Sequence, residues 1–249
     1  MPQVFSSGAN TLAKLSLITA AILPFGVLYA GSTFTRSSAN TNVGVAVDQP
    51  VFFSHKHHAF ELGIDCRYCH TSVEKSPVAG VPPTETCMSC HSQIWLNSPL
   101  LEPLRQSYET GESLVWNKVN KVPEFVYFNH SIHIARGVSC NECHGAVTKM
   151  QMTAKGRDLS MSWCLECHRN PEKYLYVEGE EGRGASPAER VFELYDKQRR
   201  GEQLSTREFN LLNDKTTVPT AEQVRNGEQQ VERLGVKKQQ LMDCWICHR

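Results

Sequence analysis

Every cysteine of this chain belongs to one short pattern, in which two cysteines enclose two other residues and a histidine follows directly. The pattern occurs five times. Two thiols at this spacing can each add to one vinyl group of the same porphyrin, while the adjacent imidazole binds its iron. The pattern therefore predicts five covalently bound haem c groups. The predicted thioether ligands are Cys66 and Cys69, Cys87 and Cys90, Cys140 and Cys143, Cys164 and Cys167, and Cys244 and Cys247, and the predicted proximal iron ligands are His70, His91, His144, His168 and His248.

Zinc sites and a disulfide framework are the alternatives for so many cysteines. A single copy of the pattern could also be a thioredoxin-like redox pair. Zinc would require the cysteine pairs to combine into tetrahedral sets, which leaves unexplained why each pair carries its own histidine. The repeated histidine therefore favours haem. Because thioether attachment takes place outside the bacterial cytoplasm, we expect the haem-bearing part of the chain on the outer side of a membrane.

A hexacoordinate iron needs a second axial ligand, and the other five histidines lie in two short runs, FFSHKHH and YFNHSIH. Aligned on each other, the runs place His55 and His58 opposite His130 and His133. Histidines three residues apart share one face of a helical turn and can point at two different irons. We therefore expect these four histidines to be distal iron ligands.

The same alignment indicates an internal repeat. Each run is followed seven or eight residues later by one cysteine motif and then, after a longer interval, by a second. The chain thus contains a duplicated two-haem unit, at about residues 51–95 and 126–171. His57 falls opposite Ile132 in the alignment and is the histidine that the repeat does not explain.

The tenth axial ligand stays open between His57 and a methionine, for which Met150, Met152 and Met161 are the candidates. A methionine thioether raises the potential of a haem relative to two histidines. For any single one of these methionines, packing against a porphyrin face is the competing interpretation.

The N-terminal part of the chain is strongly apolar. Residues 12–30 read LAKLSLITAAILPFGVLYA, close to the roughly 20 residues that a helix needs to cross a bilayer. The alternative is a cleaved signal peptide, but Leu28-Tyr29-Ala30 is a poor match to its cleavage site. We predict one retained membrane helix with its N-terminus in the cytoplasm, although Lys14 alone supplies the positive charge on that side.

Composition restricts the rest of the chain. Acidic and basic residues balance at 26 each, which argues against a nucleic-acid partner. Large aliphatic residues are sparse after the first thirty positions. We therefore predict a mainly α fold with extensive loop, whose core is largely porphyrin. The predicted domains are a membrane anchor at residues 1–35, the duplicated haem unit at 36–175, and a helical extension with the fifth haem site at 176–249.

The sequence of that extension predicts the N-termini of two helices. Ser186-Pro187-Ala188-Glu189 and Thr220-Ala221-Glu222-Gln223 both have the form of a capping box. We expect these helices to wrap the haem core or to contact a neighbouring subunit, and to deliver the last motif to the end of the haem chain.

Several stretches closely resemble the pentahaem cytochrome c subunit of alternative complex III, a quinol-oxidising respiratory and photosynthetic complex. The resemblance is good from about residue 50 to 170, and the anchor and the last motif fit in order. The stretches are GVPPTETCMSCH (80–91), WNKVNKVPEFVYFNHSIH (116–133), GVSCNECHGAV (137–147) and LSMSWCLECHR (159–169).

This resemblance implies a single-pass subunit of the inner membrane whose haem domain lies on the periplasmic face. Its implied partners are an iron–sulfur subunit, polytopic quinol-binding subunits and a monohaem cytochrome c, with a soluble carrier or a terminal oxidase as acceptor. The resemblance also implies mostly bis-histidine haems and one His/Met haem. Met150, in the stretch HGAVTKM, is closest to the pattern of that family.

Two other functions compete with an electron relay. A membrane-anchored multihaem quinol dehydrogenase would oxidise quinol itself, but 35 residues separate Ala30 from Cys66. Thr71-Ser72 also follow His70 where that type has a nearby methionine. A multihaem reductase would need an open distal position or a motif with lysine in place of histidine. All five motifs end in histidine, so the reductase ranks third.

Overall fold

A computed structural model of the chain describes residues 5–6, 8–176, 185–215 and 218–248. The chain forms two compact units, Met1–Val43 and Gly44–Arg249. Residues 36–43 thus group with the N-terminal helix, and the C-terminal extension belongs to the same unit as the cysteine motifs.

The first unit consists of helix α1, Ala9–Arg36, and a short helix α2, Ser38–Thr41. Helix α1 has 28 residues, contains Pro24 and buries none of its side chains within the described part of the chain. With a mean hydropathy of 1.8 over its most apolar stretch, it is long and apolar enough to cross a membrane. A signal sequence near the N-terminus can meet the same criteria of length and composition.

The second unit is built from short helices joined by long loops. Its α-helices are α3 Cys66–Cys69, α4 Thr84–His91, α5 Glu102–Thr110, α6 His130–Ala135, α7 Cys140–His144, α8 Met161–Arg169, α9 Pro187–Arg200, α10 Thr206–Leu212, α11 Ala221–Arg233 and α12 Cys244–Cys247. One π-helix, Lys56–Glu61, and the short 3-10 helices Pro99–Leu101, Val147–Lys149, Pro171–Lys173 and Gln240–Met242 complete the elements. The residues that the structure describes contain isolated β-bridges and no β-strand, so the predicted mainly α fold is confirmed.

Among the residues that the structure describes, buried apolar side chains form four small clusters instead of one continuous core. Cys66 and Cys140 pack against two of these clusters, one around Val191 and Leu194 and the other around Phe192. Apolar packing is therefore concentrated around the cysteine motifs. This pattern accords with an interior that the polypeptide does not fill alone.

The C-terminal extension packs against the motif-bearing part of the chain. Both predicted capping boxes are confirmed, at Ser186 before α9 and at Thr220 before α11, and a third is present at Ser205 before α10. Helix α11 approaches the 3-10 helix Pro171–Lys173 at Gly227, where a Cβ atom would overlap the backbone carbonyl of Glu172. Residues 177–184 and 216–217 of the predicted extension lie outside the described residues.

Candidate functional site

All five cysteine motifs lie on single helical turns. The two cysteines of each motif fall at positions i and i+3 of α3, α4, α7, α8 or α12 and so share one face of the turn. The turns at α3, α7 and α8 begin with a side-chain cap from Asp65, Ser139 and Ser160, respectively. None of the ten cysteines, all within the described ranges, takes part in a disulfide.

Four motif histidines each face one histidine of the two runs. The ring centroids are 6.2 to 6.4 Å apart in every pair. Three pairs have nearly parallel planes, at interplanar angles of 8°, 3° and 23°, and the fourth is tilted by 59°. In chain order of the motifs, the pairs are His55–His70, His58–His91, His130–His144 and His133–His168.

This spacing fits one iron atom between each pair. A metal–imidazole bond is about 2 Å long, and two such bonds on opposite sides of a metal, with about 1 Å from each nitrogen to its ring centre, separate the centroids by about 6 Å. Direct packing of the two rings would not require the same separation in all four pairs. The structure thus brings together the predicted proximal and distal histidines of four haem sites, numbered here in the chain order of their motifs.

The second ring nitrogen of most of these histidines is held by a backbone carbonyl. Nδ1 forms a hydrogen bond with such a carbonyl, at 2.7 to 3.0 Å, in six of them: His58, His70, His91, His130, His133 and His168. In His55 it bonds the Thr153 hydroxyl at 3.0 Å. Because a carbonyl can only accept, Nδ1 carries the proton and Nε2 has its lone pair free for a metal.

The two histidine runs have the same local geometry. The ring of Phe53 lies 4.9 Å from His55 at 87° and 4.5 Å from His58 at 22°. In the second run, the ring of Phe128 lies 4.8 Å from its first histidine at 88° and 4.5 Å from its second at 25°. This agreement supports the internal repeat inferred from the sequence.

A π-helical turn absorbs the one difference in length between the two repeats. Cys66 follows His58 by eight positions, whereas Cys140 follows His133 by seven. The first repeat has the π-helix Lys56–Glu61 where the second has the regular helix α6. A π-turn accommodates one more residue than an α-turn, so both repeats present their histidines in the same way.

His57 differs from the paired histidines. Its side chain is 42% exposed, and its Nδ1 lies 2.9 Å from a carboxylate oxygen of Glu61. Its ring faces the indole of Trp95 at a centroid distance of 6.1 Å. The structure therefore places His57 on the surface beside the second haem site and not opposite a motif histidine.

Burial keeps the inner histidines uncharged. It lowers the pKa of His55 to about 4, with further contributions from His70, His58 and His144. Burial likewise lowers the pKa of His144 to about 4, aided by His130 and His70. Only a neutral imidazole can bind a metal, so these histidines do not have to lose a proton near neutral pH before they bind.

The fifth motif is held by the segment before the second histidine run. His248 Nδ1 bonds the backbone carbonyl of Phe125 at 3.3 Å, and the backbone N–H of Tyr127 donates to the carbonyl of Cys247 at 2.8 Å. Val126 and His248 form an isolated antiparallel bridge. These bonds fix the predicted proximal ligand of the fifth haem.

Met150 lies at the first and third haem sites. Its carbonyl accepts the backbone N–H of Lys56 at 3.0 Å, and its Cε lies 3.4 Å from the point that a Cβ of Gly145 would occupy. Histidines take both axial positions at each of these two sites. Met161 is 63% exposed. The partner of His248 at the fifth iron therefore stays a prediction from the sequence.

Sequence reasoning did not identify the groups that orient the histidines. The carbonyls of Gly80, Pro77 and Leu241 bond Nδ1 of His70, His130 and His168, respectively. A backbone carbonyl is present at every residue and gives no signal in residue type. The hydroxyl of Thr153 is the one side chain in this set of acceptors, and nothing in its spacing separates it from other threonines.

Comparison with known proteins gives the class of protein that the chain resembles. Residues 126–191 match the family model described as cytochrome c7 and related cytochrome c. Over 98 residues the chain is 35% identical to the multiheme cytochrome c subunit of menaquinone reductase from Nitratidesulfovibrio vulgaris, a match that covers 39% of this chain and 46% of that protein. The chain thus spans about half the length of that relative. The chain thus has a multihaem cytochrome c domain, and both similarities support covalently bound c-type haem.

Proposed function

We propose that this multihaem cytochrome c domain is the electron-transfer subunit of a membrane quinol:acceptor oxidoreductase, in which it relays electrons through five c-type haems. The observation that carries the proposal is the set of four histidine pairs at iron-binding distance. Two protein ligands on each iron leave no position open for a substrate, so these sites suit electron transfer and not catalysis. The bound haem supplies one-electron chemistry, and the polypeptide supplies ligands, orientation and burial.

The same geometry supports a ligand assignment for the first four irons, and the sequence supplies the rest. The ten cysteines form the thioethers of five haems, and each of the first four irons has two histidines. His248 is the proximal ligand of the fifth iron, and a methionine is its second ligand. Met152 and Met161 are the candidates that the sequence leaves, because Met150 lies at the first and third sites. Carbonyl bonds to Nδ1 raise the basicity of the imidazoles and fix the orientation of their planes.

The complex is of the alternative complex III type, which oxidises quinol. The similarity to a subunit of a menaquinone reductase supports a place in a quinone oxidoreductase. The partners are an iron–sulfur subunit, polytopic quinol-binding subunits and a monohaem cytochrome c, with a soluble carrier or a terminal oxidase as acceptor. Helix α1 anchors the chain in the inner membrane, and the haem domain lies on the periplasmic side.

Purification from native membranes in mild detergent tests this function. We expect mass spectrometry to find polytopic and iron–sulfur subunits with the chain, and added quinol to reduce its haems only while these partners are bound. Reduction of the stripped chain by quinol would contradict the proposal. It would identify the chain as a membrane-anchored multihaem quinol dehydrogenase.

The number of haems is tested separately. The intact mass of the purified chain should exceed the polypeptide mass by five haems. A variant with Cys244→Ala and Cys247→Ala should lose the mass of one haem. An unchanged mass difference in this variant would show that the fifth motif does not attach haem.

A further inference from the structure

The first and second haem sites are neighbours in space. The hydroxyls of Tyr68, in the first motif, and Ser89, in the second, are 3.0 Å apart. The distal histidines of these sites, His55 and His58, follow each other on one turn and both contact the ring of Phe53. The second site is thus attached directly to the first.

The first and third sites share a reciprocal contact between the two repeats. The loop after the first motif holds both sites, because Gly80 accepts from His70 at the first site and Pro77 accepts from His130 at the third, each at 2.7 Å. The backbone N–H of Ser131 also donates to Ser76 in this loop.

The loop after the third motif makes the reverse contact, to the first site. Thr153 bonds His55 of the first site at 3.0 Å, and Met150 accepts the backbone N–H of Lys56. Cys66 and Cys140 pack against the same two apolar clusters, which brings the porphyrin attachment points of these sites together.

The third, fourth and fifth sites continue from there. The distal histidines of the third and fourth sites, His130 and His133, lie on one turn of α6 against the ring of Phe128. At the fourth site, His168 Nδ1 bonds the carbonyl of Leu241 at 3.0 Å. Leu241 lies just before Cys244, so the segment that orients the fourth proximal histidine also delivers the fifth motif.

We propose that the five haem sites form one unbranched row in the order second, first, third, fourth, fifth, and that electrons enter and leave the chain at the second and fifth sites. The use of the two ends rests on the proposed relay function. The row itself rests on the contacts alone. Its order differs from the order of the motifs along the chain, because the two repeats meet through their first sites.

Exposure distinguishes the two ends from the middle of the row. Of the ten cysteines, all of them within the described ranges, Cys90 and Cys244 are exposed and the other eight are partly buried. Trp95 beside the second site is 63% exposed, and Trp245 in the fifth motif is 65% exposed. The second and fifth sites are therefore the ones that a redox partner can approach most closely.

An experimental structure of the haem-loaded chain tests the order directly. We expect the four shortest iron–iron distances to join the second site to the first, the first to the third, the third to the fourth, and the fourth to the fifth. A second site nearer to the third or fourth site than to the first would overturn the row. This measurement does not depend on quinol, so it stands or fails separately from the proposed function.

A kinetic experiment tests the ends. The second site has the one strongly tilted histidine pair, at 59°. Because the angle between axial imidazole planes changes the electron paramagnetic resonance signal of ferric haem, this site has a spectroscopic label. A photosensitiser can be attached at Trp95→Cys, beside the second site, or at Glu124→Cys, next to Phe125, which holds His248. Both unlabelled variants serve as controls and should keep the spectrum of the parent chain.

A flash makes the photosensitiser reduce the nearest haem, and rapid freezing stops the reaction. With the photosensitiser at position 95, the ferric-haem signal of the tilted pair should disappear before the others. The label at position 124 should cause it to disappear last. Loss of the signals in the same order from both labels would overturn the assignment of the ends.

Discussion

The imidazole rings of His130 and His144 face each other with centroids 6.3 Å apart and planes 3° from parallel. The two residues come from different helices, α6 and α7, and a loop of the other repeat holds His130 through the carbonyl of Pro77. An iron-binding pair is thus built from two helices, and its geometry depends on both repeats.

Removal of His58 should change the spin state of one haem, whereas removal of its neighbour His57 should not. His58→Ala removes the ring that faces His91 across 6.2 Å, so we expect one haem to lose a strong-field ligand and become high-spin, with raised potential. The absorption spectrum and a redox titration measure both effects. His57→Ala is the matched control, because His57 bonds Glu61 on the surface. A high-spin haem in the His57 variant instead would contradict the pairing described here.

Tyr195 should contribute to stability through its hydroxyl. This buried group donates to Asn141 Oδ1 at 2.9 Å and accepts the backbone N–H of Asn141 at 3.3 Å, within the third motif. Tyr195→Phe should lower the free energy of unfolding by about 1 to 3 kcal/mol, because Asn141 is left buried without this partner. Tyr68→Phe, which removes an exposed hydroxyl, should change it by less than about 0.5 kcal/mol. Equal effects in chemical denaturation would refute this role.

Helix α11 should tolerate no side chain at Gly227. Gly227→Leu places atoms against the backbone of Glu172, and we expect a loss of about 1 to 3 kcal/mol in the free energy of unfolding. Asn226→Leu puts the same side chain on the exposed face of the helix and should change it by less than about 0.5 kcal/mol. Thermal unfolding of both variants measures the difference. A Gly227 variant as stable as the Asn226 variant would show that the helix does not pack as described.

Glu142 should make stability depend on pH. Burial raises the pKa of its carboxyl from 4.5 to about 7, although Arg207 and Arg157 lower it. The folded chain therefore holds a proton that the unfolded chain releases, and stability falls as pH rises from about 4.5 to about 7. Glu142→Gln has no such proton, so its melting temperature relative to the parent should be higher at pH 8 than at pH 5. A difference that does not change with pH would contradict the buried carboxyl.

The sequence allowed the ligand-bearing residues to be identified because their chemistry requires fixed spacing. The motif histidines and the runs around His55 and His130 could be paired in principle from the repeat alone. The acceptors at Gly80 and Leu241 could not be predicted, because they act through their backbone carbonyls. The spacing from Ser205 to Glu208 also matches a capping box, although no helix start was predicted there. The place of Met150 depended on how the two repeats meet, which no local pattern determines.

The reciprocal loops also bear on how the chain arose. Ser76 and Met150 each follow a motif histidine by six residues, and each accepts a backbone N–H from the histidine run of the other repeat. Contacts that are the same in both directions characterise the interface of a symmetric dimer. This arrangement is the one that two identical dihaem proteins would have before their genes fused. Either half expressed alone would then orient its first distal histidine, His55 or His130, only by pairing with a second copy of itself.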